Sequence, residues 1–319
     1  MSNKNWELEL AQYIKDGEPN RIEKAKVWEM AIGLQDVDGL KPSKYLLDTA
    51  KEHIEGRIGI EEVEQRINKY YKILNSREQE KADNNEEADK VSVRITEILS
   101  DKSFNFNPVE LINIHKKLFS DIFEFAGKIR DYNFTKDEWV LDGDTVIYAS
   151  YETIMSSLQY DFEQEKNFSY KDITFDDAIK HLCRFTSNIW QVHPFCEGNT
   201  RTTAVFIIKY LRTFGFDIND DVFAKHSWYF RNSLVRANYK KFDSNIFEDI
   251  SFLEKFFYNL LAGTNYELRN RYTHISYQEN VNNEKVKNDV YTLEEQAIIN
   301  IISSNANIKQ EEIAKIIGK

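Results

Sequence analysis

Nine consecutive residues, His193-Pro194-Phe195-Cys196-Glu197-Gly198-Asn199-Thr200-Arg201, bring an imidazole, a carboxylate and a guanidinium to one short stretch of chain. An imidazole such as that of His193 titrates near neutrality and suits proton abstraction. Glu197 offers a hard carboxylate oxygen of the kind Mg²⁺ takes together with phosphates. Gly198 and Asn199 stand where a helix begins, and the unpaired N–H groups and positive dipole end of such a start favour an anion. Glycine also lets a phosphate approach the backbone closely, and Thr200 completes the cradle. Arg201, one turn in, adds a planar cationic fork that fits phosphate oxygens. The string therefore reads as base, metal ligand and anion cradle, although each member alone has an ordinary structural reading.

Two helices must hold this group. Thr174 with Asp177 forms a cap, after which Ala178, Leu182, Phe185 and Ile189 recur at helical spacing; Pro194 ends that helix at Val192-His193. A second helix is expected from Asn199 to Phe214, apolar on nearly all sides through Val205, Phe206, Ile207, Ile208 and Leu211, and hence central and buried. Between Trp139 and Tyr148 an Asp142-Gly143 pair separates β-prone runs, which predicts one hairpin in an otherwise helical chain. Short amphipathic helices span Arg21 to Tyr71, with breaks at Val37–Ser43 and Glu55-Gly56. The organisation expected is a helical module over 1–75, a polar linker or exposed helix over 76–90, a main domain over 91–263 and a terminal unit over 286–319. In that last unit Thr292 and Glu295 cap a helix, and a second helix follows from about Lys309. This pattern suits the start of a helix-turn-helix, or equally a plain helical hairpin.

The composition agrees. Among 319 residues there are only 4 Pro and 11 Gly, with 13% aromatic and 30% charged, which points to an all-α protein with a substantial core. A net charge of -11 argues against a broad DNA-binding or membrane-binding face. DNA contact is expected only through a completed C-terminal tail, and self-association is left open. No apolar run approaches the length of a membrane span, and two cysteines without an apolar leader suggest the cytoplasm. Cys183 and Cys196 lack metal-ligand spacing, as do His53, His115, His181, His226 and His274. Trp228-Tyr229-Phe230 reads as core more readily than as a pocket wall.

The chain resembles the Fic family. HPFCEGNTR is similar to that family's HPFx(D/E)GNxR signature, and the similarity extends over roughly residues 91–263, through Leu118-Phe119, Phe125-Ala126-Gly127-Lys128-Ile129-Arg130 and Leu234-Val235-Arg236-Ala237-Asn238. The resemblance implies an all-helical core with one β-hairpin flap, and transfer of AMP from ATP to a Ser, Thr or Tyr hydroxyl of a target protein. His193 would be the general base, Glu197 would hold Mg²⁺, the Gly198 and Asn199 amides would meet the α-phosphate, Arg201 the outer phosphates, and Asn238 the adenine. The flap residues Trp139, Val140, Leu141, Val146 and Ile147 would dock the target as an added strand. The chain departs from the family in two places, with Ala204 where many members carry a second Arg and Thr200 where Gly is frequent. In the family that second Arg pairs with a Glu of an inhibitory (S/T)xxxE(G/N) helix, and the N-terminal module is similar in layout to such antitoxin-like modules. Asp38-Gly39 and Glu55-Gly56 are the nearest matches, with Leu34 and Lys51 at the Ser/Thr position. Asp38 is favoured, and Arg201 is the cation left to receive it. Two other readings are an impaired Fic scaffold acting as a DNA- or partner-bound regulator, and transfer of a different group such as UMP or phosphocholine.

Overall fold

The computed structural model describes residues 2–74, 83–216, 218 and 222–277; the terminal unit expected over 286–319 lies outside them. Four helices come first: α1 (Ser2–Asp16), α2 (Pro19–Gly33), α3 (Lys44–Ile54) and α4 (Ile60–Leu74), with a 3-10 turn at Leu34–Asp38 after α2. Then follow α5 (Asp83–Ser100), α6 (Pro108–Phe119), α7 (Ile154–Asn167), α8 (Phe175–Val192), α9 (Asn199–Thr213), α10 (Val222–Ala237), α11 (Ser251–Ala262) and the short α12 (Asn270–Thr273). The protein is all-α. The cap expected on α8 is present, with Thr174 Oγ1 accepting from Asp177 N at 3.1 Å. As its apolar circumference demands, α9 is buried from Asn199 to Leu211.

Two apolar cores share two helices. Ala25 and Trp28 of α2 pack with Trp6, Leu46, Ile54, Ile67 and Tyr71, whereas Val27, Met30 and Ala31 on its other side join the large core around α9. Helix α5 does the same, sending Val93 to the small core and Val91, Ile95 and Ile98 to the large one. The polar stretch Ser76–Lys90 is thus no simple linker, because from Asp83 onward it is helix. Asp89 on this helix accepts from Ser43 N (2.7 Å), Ser43 Oγ (2.5 Å) and Tyr71 Oη (2.7 Å). At its end α2 meets α10 so closely that a Cβ on Gly33 would lie 2.3 Å from the Ala224 carbonyl oxygen, and Ser227 Oγ donates to Gly33 O at 2.8 Å. Glycine at 33 is what allows the following turn to enter the main body.

The expected hairpin takes another form. Glu138 N donates to Asp144 O (3.0 Å) and Gly143 N to Glu138 O (3.0 Å), but Trp139–Leu141 is a 3-10 turn, and the one bridge among the described residues joins Lys241 and Ile246. The reason is burial: the adjacent Val140 and Leu141 are both buried, and a strand sends successive side chains to opposite faces.

His53 gives the small core an acid-sensitive element. Its Nδ1 accepts from Trp28 Nε1 at 3.0 Å, and burial, with Lys24 nearby, pushes its pKa down to about 4. The unfolded chain binds a proton on this ring near pH 6.5 and the folded chain only near 4, so stability present above 6.5 is lost as pH falls through that window. Urea unfolding at pH 7.5 and 4.5 should show His53→Gln losing about 1–2 kcal/mol less than the parent over this interval.

Candidate active site

Helix α8 ends because His193 turns into left-handed geometry (φ 49°, ψ 60°) ahead of Pro194, with His193 N donating to Trp190 O at 3.0 Å. Arg130, itself buried, fastens the turn. Its backbone N donates to Pro194 O (2.9 Å), Nε to His193 O (2.8 Å), Nη1 to Tyr132 O (2.8 Å), and Nη2 to Val192 O (3.3 Å) and Ala149 O. Asn199 closes the next loop by accepting from Phe195 N (3.0 Å) through Oδ1 and donating to Phe195 O (2.8 Å) through Nδ2. Beneath it His115 stacks on Phe195 (3.7 Å between ring centres). Because His115 Nδ1 accepts from Gly127 N (2.9 Å), its Nε2 carries the proton and donates to Glu197 O (3.0 Å). Gly198 has φ 77°, and a Cβ there would fall 2.3 Å from the Phe119 ring, so glycine is needed both for the turn and for the approach.

The groups that could do chemistry are differently placed. His193 is 4% exposed and lies under the ring of Tyr148 (4.0 Å, 25° between planes), with Trp190 edge-on at 5.3 Å. Its Nδ1 has no hydrogen-bond partner. Burial, reinforced by Lys136 and Arg130, pushes its pKa well below the ordinary histidine value, so the ring is neutral at physiological pH and not half-titrated as the sequence suggests. The Glu197 side chain is 41% exposed, with Lys136 Nζ 3.3 Å from each of its oxygens and Gly198 N donating to Oε1 at 3.1 Å. Thr200 is spent elsewhere, as its Oγ1 accepts from Trp190 Nε1 at 2.9 Å.

Arg201 is fully buried. Its Nη2 donates to Glu87 Oε1 (2.5 Å) and Nη1 to Gln35 Oε1 (3.1 Å), its Nε lies 2.8 Å from Asp38 Oδ2, and the guanidinium sits 4.8 Å over the Phe119 ring. The Asp38 contact is ionic without hydrogen-bond alignment. Asp38 ends the 3-10 turn and Gly39 caps it at φ 67°. Glu55 is not here: it accepts from Tyr13 Oη and pairs with Arg57. Glu87 and Gln35 escape a reading of the sequence, Glu87 because it sits in a polar run that reads as a linker or an exposed helix, with nothing to mark one carboxylate from the next. Gln35, three residues before Asp38 on the same turn, could have been found from that spacing.

Residues 105–211 match the Fic/DOC family. The chain is 27% identical over 161 residues to the protein adenylyltransferase VbhT of Bartonella schoenbuchensis (47% of this chain, 32% of that protein). It is 28% identical over 166 residues to a protein adenylyltransferase of Bartonella henselae (47% of this chain, 29% of that one). A ribonucleoside-diphosphate reductase small chain of Ostreid herpesvirus 1 is 26% identical over 153 residues, 46% of this chain and 25% of its own. The chain thus spans about a third or less of the length of these relatives.

Around the matched segment the other expected residues are distributed as follows. Asn238 Nδ2 donates to Ser187 Oγ (2.8 Å) and Leu234 O (2.9 Å), tying the end of α10 to α8. Of the flap residues, Val140, Leu141 and Val146 are buried, so they anchor the flap and offer no side chain to a target. Trp139 is half exposed and stacks on Trp228 at 5.1 Å; Ile147 is 79% exposed. Tyr229 and Phe230 are core. Among the described residues no helix is long and apolar enough to cross a membrane.

Because Arg130 joins the flap exit, the preceding loop and the end of α8, Arg130→Ala should strand several carbonyls and cost about 3 kcal/mol or more. Hydrogen exchange should then accelerate over residues 131–150 and 192–196 while α3 and α4 keep their protection.

Proposed function

We propose that this chain is a protein adenylyltransferase that moves AMP from ATP to a Ser, Thr or Tyr hydroxyl of a target protein and is restrained by its own N-terminal helices. The observation that carries the reading is the loop itself: a neutral, buried imidazole and a half-exposed carboxylate on either side of a tight turn that opens onto the N-terminus of α9. The target oxygen attacks the α-phosphorus, the bond to the β-phosphoryl oxygen breaks, pyrophosphate leaves, and the hydroxyl proton passes to His193. The backbone at Gly198 and Asn199 faces the α-phosphate, Arg201 serves the outer phosphates, and Asn238 stands on the adenine side.

Glu197 fits a divalent cation. It is one accessible carboxylate at a phosphate cradle, and among the described residues no three His, Cys, Asp or Glu converge into a cage, which suits an ion completed by phosphate and water. Mg²⁺ there would neutralise charge on the departing pyrophosphate. Lys136 holds the Glu197 carboxylate and must yield it to the cation. ATP as donor fits a cytoplasmic setting.

Restraint follows from Arg201. A guanidinium held by Asp38, Glu87 and Gln35 cannot also bind phosphate, so nucleotide and N-terminal helices compete for it. Ala204 leaves no second arginine on the next turn of α9. The alternative, a Fic scaffold with impaired chemistry, draws on Ala204 and on the Tyr148 ring lying over His193. Donors other than ATP are separated by the same assay.

Incubation with α-labelled ATP, UTP or CDP-choline and Mg²⁺, with label on this chain or on added proteins as readout, decides between these readings; no transfer by the parent or by the released variants below would refute the enzyme. His193→Ala should lower transfer about 10²- to 10⁴-fold with nucleotide affinity retained. Asp38→Gly and Glu87→Ala should each raise labelling within a range of about 5- to 150-fold, whereas Glu55→Gly should leave it unchanged. Point variants serve better than removal of residues 1–75, which would strip Val27, Met30 and Ala31 from the main core.

A further inference from the structure

Between the exit of the flap and the faces of α7 and α8 lies a groove of about 660 Å³, with Ile147, Ser157, Tyr160, Asp161, Asn188 and Gln191 among its walls and no Lys or Arg. Its wall on the flap side is fixed: Gln191 Nε2 donates to Ile147 O (3.1 Å), and Ala149 N donates to Gln191 O (3.4 Å). Asp161 is the one acidic side chain in it, and it is underserved. Its only hydrogen bond is from Asn188 Nδ2 at 3.5 Å, the outer limit of such a bond, and no cation lies within ion-pair distance among the described residues. Two more deeply buried carboxylates are paired, Glu138 with Arg231 (2.7 Å) and Glu165 with His181 (2.6 Å). Burial pushes the Asp161 carboxyl up to about 6, which still leaves it ionised at pH 7.5. A part-buried carboxylate without a partner loses hydration and recovers little, unless something from outside supplies the cation.

We infer that this groove takes an Arg or Lys side chain of the target protein, with its cationic head on Asp161 and its stem along Tyr160 and Ile147. Both rim residues are well exposed, Tyr160 at 62% and Ile147 at 79%, and a long aliphatic stem covers such surface while its head reaches a charge. The net charge of -11 draws a basic segment of the partner in the same direction. The inference rests on the proposed reading in one respect, that a protein segment lies along the flap.

The test is binding of N-acetyl-arginine methylamide, followed by NMR on the full chain at pH 7.5, with the neutral citrulline analogue as control. Saturable shifts at Tyr160, Asn188 and Gln191, with the citrulline compound about 10-fold weaker or more and the response abolished in Asp161→Asn, are expected. Equal response to both compounds, no response at these residues, or an unchanged response in Asp161→Asn would overturn the inference. The two readings fail separately: a chain that transfers no nucleotide can still bind the arginine compound, and an active transferase can ignore it.

Discussion

A guanidinium with no exposure to water cannot be left without anions, and Arg201 at the head of the central helix sets that requirement for the whole molecule. Meeting it takes three groups from two places in the chain. Gln35 and Asp38 arrive on the 3-10 turn after α2, which reaches the site because Gly33 lets α2 close onto α10. Glu87 arrives from α5, whose first turns must be helical to aim it. Phe119 forms the floor, and the same ring excludes any side chain at Gly198. The N-terminal helices therefore already occupy the cation that the proposed phosphate cradle would use.

The rest of the loop is built to stay still. Arg130, Asn199 and His115 answer its backbone groups with fixed side chains, while the side chains of Glu197 and its partner Lys136 keep substantial contact with solvent. His193 combines both properties. Its backbone is bound at both ends, yet its ring lies against Tyr148 and Trp190 and its Nδ1 bonds to nothing. If His193 is the base, as proposed, burial keeps it ready to accept a proton, and the Tyr148 ring stacked on it must move before a hydroxyl can reach it. Under the proposed function the segment that carries Tyr148 would govern access to the base.

Much of this was legible from residue types. The α8 cap, its end before Pro194, the buried α9 and the turn at Asp38-Gly39 follow from local rules that tertiary contacts did not override. The hairpin did not survive, because Val140 and Leu141 are adjacent and both apolar, a pattern that fits a turn pressed on a core better than an alternating strand. The contacts of Glu87, Lys136 and Arg130 were invisible for another reason: each reaches a residue about 60 or more positions away, and no spacing rule links such pairs. The neutral state of His193 likewise depends on how deeply the ring is enclosed, which its neighbours in sequence do not reveal.

The shared helices also constrain how the Arg201 contacts can be released. Lifting α2 from the body would expose Val27, Met30, Ala31 and Leu34, at a cost of roughly 5–8 kcal/mol in apolar burial alone. A coupling between two sites in one protein is commonly about 1–3 kcal/mol, too little to drive that opening. Release must then be local, through rotation of the Asp38 and Glu87 side chains, both partly open to solvent, or fraying of the one turn that carries Asp38. In the proposed reaction polyphosphate would take the places they vacate, so that the buried cation exchanges anions without standing alone. Under the proposed function the helices would act as a competitive anion supplied by the chain itself, displaced from Arg201 as nucleotide rises.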